Sequence, residues 1–168
     1  MLQHPYILLF DFETTGLSAQ FEQIIEVGAI LLEKKGNTYT IKEELSLLVQ
    51  ADKKLPEIIT NITKITDEML LREGVSQMEA FEKLYMMMQH PQTLLIAYNI
   101  QFDLSFLQAW IRKFDHPQKM ISHDVLDVMA IYKDRHRYPH KLDNAVETYR
   151  IELPNTHRAL DDIKATYH

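Results

Sequence analysis

"LLFDFETTGL", residues 8–17, is an apolar run that ends in two carboxylates one residue apart, followed by two threonines and a glycine. Side chains alternate across a β-strand, so Asp11 and Glu13 share one face while Phe10 and Phe12 share the other. A strand end that has met solvent would explain a lone Asp-x-Glu. A hard divalent cation would explain it equally, by neutralising carboxylates that otherwise raise each other's pKa. The choice turns on whether other acidic residues converge on the same strand end.

Working outward, residues 6–12, 24–33 and 38–48 read as strands, and "KKGN" at 34–37 supplies an antiparallel turn between the second and third. Ser76 and Glu79 have capping-box spacing, and Phe81, Leu84, Tyr85 and Met88 follow at helical intervals, which predicts a helix over 76–89. Met86, Met87 and Met88 read as core filler. "TLLIAY" at 93–98 is a short buried strand, and Leu104, Leu107, Ile111 and Phe114 mark one face of the helix after it. Further helices are expected near 124–133, 141–149 and from 158 onward. Strands first, then strand alternating with helix, predict an α/β domain with a mixed sheet.

The 168 residues are 46% hydrophobic and 25% charged, which fits one globular domain with a substantial core. There is no repeat or low-complexity tract, and the longest linker-like stretch, Ala51–Pro56, is short. With no cysteine there is neither a disulfide framework nor a thiolate metal site, in keeping with a reducing compartment. The apolar run Tyr6–Phe10 is too short to span a bilayer or serve as a signal core, so the expectation is a cytoplasmic protein with no membrane partner. A formal net charge of −6 argues against an indiscriminate nucleic-acid coat protein, but not against an enzyme that recruits cations to handle phosphate. One segment, "KDRHRYPHK" at 133–141, is locally basic: it reads as a solvated loop or as a tracker of a phosphate backbone.

Two more acidic motifs accompany the first. "NIQFDLSFL" at 99–107 places Asp103 at a helix start, where a carboxylate also complements the helix dipole. "HRALDDIKA" at 157–165 places His157 on the approach to the last helix and Asp162 on that helix. Asp-x-Glu, Asn-x-x-Phe-Asp and His-x-Ala-x-x-Asp resemble, in order and spacing, the three signature motifs of the DEDDh 3'-to-5' exonucleases. Among these the similarity is greatest to the epsilon proofreading subunit and the polymerase-III-type exonuclease domains. "QIIEVGAI" (23–30), "ITKITDEML" (62–70) and the Asp127 region extend it over nearly the whole chain. Two departures are visible: Tyr98 stands where the family often has His, and Lys64 where it often has Gly.

The resemblance implies a ribonuclease H-like α/β fold, with a mixed five-stranded sheet flanked by helices. It implies one exonuclease domain over residues 1–168, with a final helix shorter than the family's, as in a domain trimmed at the C-terminus or a fragment of a longer protein. The activity implied is release of nucleoside 5'-monophosphates from 3' ends, single-stranded DNA ahead of RNA, with a DNA polymerase or helicase as partner. Two divalent cations, Mg²⁺ or Mn²⁺, are implied as cofactors, in keeping with an all-carboxylate donor set. Asp11, Glu13 and Asp162 would hold one cation, Asp11 would bridge to the second, and Asp103 would complete the set, with His157 as general base. Substrate contacts are implied for Thr14, Thr15, Gly16, Leu17 and Asn99, with Leu17 wedged beside the last base. The rival expectations are an RNA-directed enzyme of the RNase T or oligoribonuclease kind and a nuclease-dead interaction module.

Overall fold

A computed structural model describes residues 3–151 and 158–167. Five strands form one sheet in the order β3-β2-β1-β4-β5. β1 (Tyr6–Thr14), β2 (Ile24–Lys35) and β3 (Thr38–Leu48) are an antiparallel meander, while β4 (Thr93–Ala97) and β5 (Val125–Asp127) join parallel to β1. Between them in sequence come α1 (Glu57–Thr63), α2 (Asp67–Glu73), α3 (Gln77–Met88) and α4 (Ile100–Phe114). The chain continues through α5 (Val128–Arg135), α6 (Leu142–Tyr149) and α7 (Ala159–Tyr167).

β1 is central and apolar on both faces because both faces are covered. Leu8, Phe10 and Phe12 point into the larger core with Phe81, Leu84, Met87 and Met88 of α3 and Phe106, Leu107 and Trp110 of α4. Ile7 and Leu9 point the other way, against Ile30, Leu32, Leu94, Ile96 and Ile163 of α7. β3 forms an edge, and its run Lys42, Glu43, Glu44 faces solvent, a charged border that discourages pairing with another chain. Because β1, β4 and β5 are parallel, their carboxyl ends lie on one rim of the sheet.

The mixed five-stranded sheet agrees with expectation, and several boundaries are corrected. β1 continues to Thr14, two residues past the expected end at 12, so that Glu13 as well as Asp11 lies on the strand. Residues 125–127 form a strand, with helix starting only at Val128; three residues are too few to reveal a two-residue period. Met86 is 72% exposed, so only Met87 and Met88 fill the core, since three successive helical residues sweep too wide an arc to face one way. The turn at 34–37 is closed by Gly36 at φ +64°, a conformation glycine adopts without steric cost.

Candidate active site

The odd-numbered face of β1 is buried under α7 at Ile7 and Leu9 and then, two residues on, offers Asp11 and Glu13. α7 brings Asp162 to the same place. One carboxylate oxygen from each of Asp11, Glu13 and Asp162 lies within 4.8 Å of the others. Asp103, from the first turn of α4, is buried, and its Oδ1 accepts a hydrogen bond from the Phe12 amide at 3.0 Å. It therefore binds the β1 backbone between the two carboxylates, outside the three-residue group, and its charge is felt at Asp11. His157 lies outside the described residues.

Electrostatics at this rim are those of crowded anions. Burial is the leading cause of a strong rise in the Asp11 pKa, followed by the charges of Asp103, Glu13 and Asp162. Burial, then Asp162 and Glu26, push Glu13 up to about 8. Burial also lifts Asp103 to about 8, against the lowering effect of its backbone hydrogen bonds. Three converging carboxylates with no sulfur donor form a hard, all-oxygen set that a divalent cation would relieve of its repulsion, so the residues fit Mg²⁺ or Mn²⁺.

What places α7 was not read from the sequence. Glu26, opposite Glu13 in the β1–β2 register, is 1% exposed. Its Oε1 accepts from Arg158 Nε at 2.8 Å and Nη2 at 2.6 Å, and its Oε2 from the Ala159 amide at 3.0 Å, which secures the first turn of α7 to the sheet. Gly28, opposite Asp11, lets the helix come close: a Cβ there would stand 2.6 Å from the Ala159 carbonyl carbon. The signals were available, as an acid and a glycine interrupting the apolar run 24–32 of β2. Asp127 is a third: its Oδ1 accepts from the amides of Asn99 and Met129, both at 3.0 Å, tying the start of α4 to that of α5.

Of the residues implied as substrate contacts, Thr14 ends β1 and Thr15, Gly16 and Leu17 continue into the loop beyond it. Thr14 Oγ1 donates to the Gly16 carbonyl at 2.7 Å, and Thr15 Oγ1 donates to Glu22 at 2.6 Å while accepting from the Gln23 amide at 2.9 Å. The threonine hydroxyls thus hold the loop's own shape, and a Cβ on Gly16 would press on the Glu22 side chain at 3.0 Å. Leu17 is left 88% exposed. Asn99 sits at the junction of β4 and α4 with φ +65°, a left-handed conformation that asparagine tolerates better than most residues.

The chain is 32% identical over 96% of its length to the DNA polymerase III subunit epsilon of Treponema pallidum, of which it spans 73%. It is 30% identical over 96% of its length to the PolC-type DNA polymerase III of Pediococcus pentosaceus, spanning only 11% of that protein. Among solved structures, the E. coli ExoI–ssDNA complex in its zinc-bound form superposes with a TM-score of 0.82 at 18% identity, over 98% of this chain and 39% of that one. That likeness establishes the ribonuclease H-like fold. The RNase T family model, described as an exonuclease, matches residues 8–168, and the chain belongs to that exonuclease family.

Proposed function

We propose that this domain is a divalent-cation-dependent 3'-to-5' exonuclease that releases nucleoside 5'-monophosphates from single-stranded DNA, in the manner of a proofreading enzyme. The observation that carries the reading is the meeting of Asp11, Glu13 and Asp162 within 4.8 Å at the carboxyl end of the central strand. Family membership and the similarity to polymerase III subunits support the same choice, and support a polymerase as working partner.

In this reading Asp11, Glu13 and Asp162 hold the cations. The chemistry supplied by Mg²⁺ or Mn²⁺ there is ionisation of a water near neutral pH and neutralisation of charge on the departing oxygen. Asp103 fixes the end of β1 through the Phe12 amide and adds its charge to the set. His157, by the sequence reading, takes the proton from the attacking water. The water oxygen bonds to phosphorus, the bond from phosphorus to the 3'-oxygen breaks, and that oxygen leaves with the bonding pair and takes a proton from solvent to become the new 3'-hydroxyl. The rigid 14–17 loop presents its backbone to the terminal sugar, and exposed Leu17 packs on the last base without regard to its identity.

The test is digestion of 5'-labelled single-stranded DNA and RNA of matched sequence with Mg²⁺, Mn²⁺ or EDTA. A cation-dependent ladder shortening from the 3' end by single nucleotides is expected, faster on DNA. Asp11→Ala, which removes a cation ligand, and His157→Ala, which removes the general base, should each lose at least about a hundredfold in rate. Undiminished cleavage by either folded variant in cation-replete buffer would remove that residue from the mechanism. Absence of cleavage by the unmodified protein would leave the interaction-module reading.

A further inference from the structure

The basic segment at residues 133–141 is not used by the acidic site. Four cations, Lys133, Arg135, Arg137 and Lys141, stand there beside a single carboxylate, Asp134, on a chain of net charge −6. All four are exposed, and among the described residues none is held in an ion pair. Lys133 and Arg135 occupy the last turn of α5, where cations also complement the helix dipole. Arg137 lies beyond the helix, and Lys141 is at the N-cap of α6, where a cation opposes the dipole. Beside Arg137 the ring of Tyr138 is 85% exposed, while Tyr132, only six positions earlier, is buried.

The loop is anchored to the rim that carries the acids. Tyr98 Oη donates to the His140 carbonyl at 2.9 Å, and Tyr98 directly precedes Asn99, from which α4 carries Asp103. His140 Nε2 pairs with the His136 carbonyl at 2.9 Å and His136 Nε2 with Tyr149 Oη at 2.9 Å, so the loop is braced at both ends. Burial pushes the Tyr98 phenol up to about 12, which keeps it a neutral donor. The departure at position 98 thus has a structural use: a phenol reaches a carbonyl that lies beyond three intervening elements.

We propose that residues 133–141 form a strand-tracking surface, in which Lys133, Arg137 and Lys141 meet phosphates of single-stranded nucleic acid upstream of the 3' end and Tyr138 stacks on an unpaired base. The placement upstream rests on the exonuclease reading, since it takes the 3' end to lie at the carboxylates. Cations on successive phosphates give binding that weakens steeply with salt, and an exposed ring gives stacking that accepts any base.

The experiment measures anisotropy of a 5'-labelled oligo(dT) bound to the full chain in EDTA, where cleavage is off, across a series of salt concentrations. Substituting Lys133→Ala, Arg137→Ala and Lys141→Ala together should flatten the dependence of log Kd on log salt by about 2, at roughly 0.7 per lost phosphate contact. Tyr138→Ala should weaken binding by roughly tenfold with the slope intact, and Tyr138→Phe should bind as the unmodified protein does. A triple variant with native circular dichroism and an unchanged slope and Kd overturns the proposal. Hydrolysis of the p-nitrophenyl ester of thymidine 5'-monophosphate, a substrate with no upstream strand, is measured on the unmodified protein with Mn²⁺ in place of EDTA. Absence of that hydrolysis counts against the exonuclease reading alone, whereas the salt slope judges the loop.

Discussion

Lys64 closes α1 in the left-handed conformation, at φ +62° and ψ +7°, with its amide donating to the Thr60 carbonyl. An L-residue there suffers a clash between Cβ and backbone that glycine escapes, at a cost of roughly 1 kcal/mol. The sequence reading noted only that relatives often have glycine at this position; the backbone supplies the reason. Lys64→Gly should therefore raise the free energy of unfolding by about 0.5–1 kcal/mol, the relief of strain being partly offset by the freer unfolded chain. The check is the urea midpoint, with Lys64→Ala as control. An equal gain from alanine would trace the effect to the lysine side chain, whose Nζ lies 2.6 Å from the Asn61 carbonyl, rather than to the backbone. Asn99 presents the same conformation with a better-suited residue, so a backbone requirement accounts for it beside any contact with substrate.

α7 is the element on which the site depends, because it alone carries Asp162 across to β1. Gly28 sets how near it comes. In Gly28→Ala the new methyl would meet the backbone of Ala159 and Leu160 at 2.6–2.7 Å, contacts relieved only by moving the helix. A destabilisation of about 1–3 kcal/mol is expected, the usual range for overpacking, together with a fall in cation affinity, because Asp162 moves with the helix. Thermal melting and a Mn²⁺ titration check it: a variant that binds Mn²⁺ as tightly as the unmodified protein would show that α7 does not set the spacing of the carboxylates. The motif residues of this element were legible in the sequence, whereas its docking was not. Periodicity reveals β1 and α4 because their buried faces repeat many times, but one glycine and one glutamate within β2 state a contact to a helix about 130 residues away only once the two are seen together. α1 and α2 went unread for a related reason: at seven residues each, they span barely two turns, too few for a helical period to stand out.

For the molecule as a whole, the crowded anions make stability depend on pH. Glu13 and Asp103 titrate at about 8 in the folded chain and Asp11 is also raised, whereas unfolded carboxyl groups titrate at about 4. Between these values the folded state binds more protons than the unfolded one, so stability falls as pH rises from about 4 to 8 and levels off above. The stabilisation is complete below the unfolded value and is lost as pH rises through the window. Without divalent cation, the melting temperature should be higher at pH 5 than at pH 8. A cation that binds only the folded chain adds RT ln(1 + [L]/Kd), and since protons compete for the same oxygens, Mn²⁺ should raise the melting temperature more at pH 8 than at pH 5. The net charge of −6 gives a background trend of the same sign through self-repulsion. Asp11→Asn combined with Glu13→Gln separates the two: it should flatten the decline in EDTA and abolish the rise with Mn²⁺. If the double variant keeps both, neither the pH dependence nor cation binding belongs to the carboxylates at the end of β1.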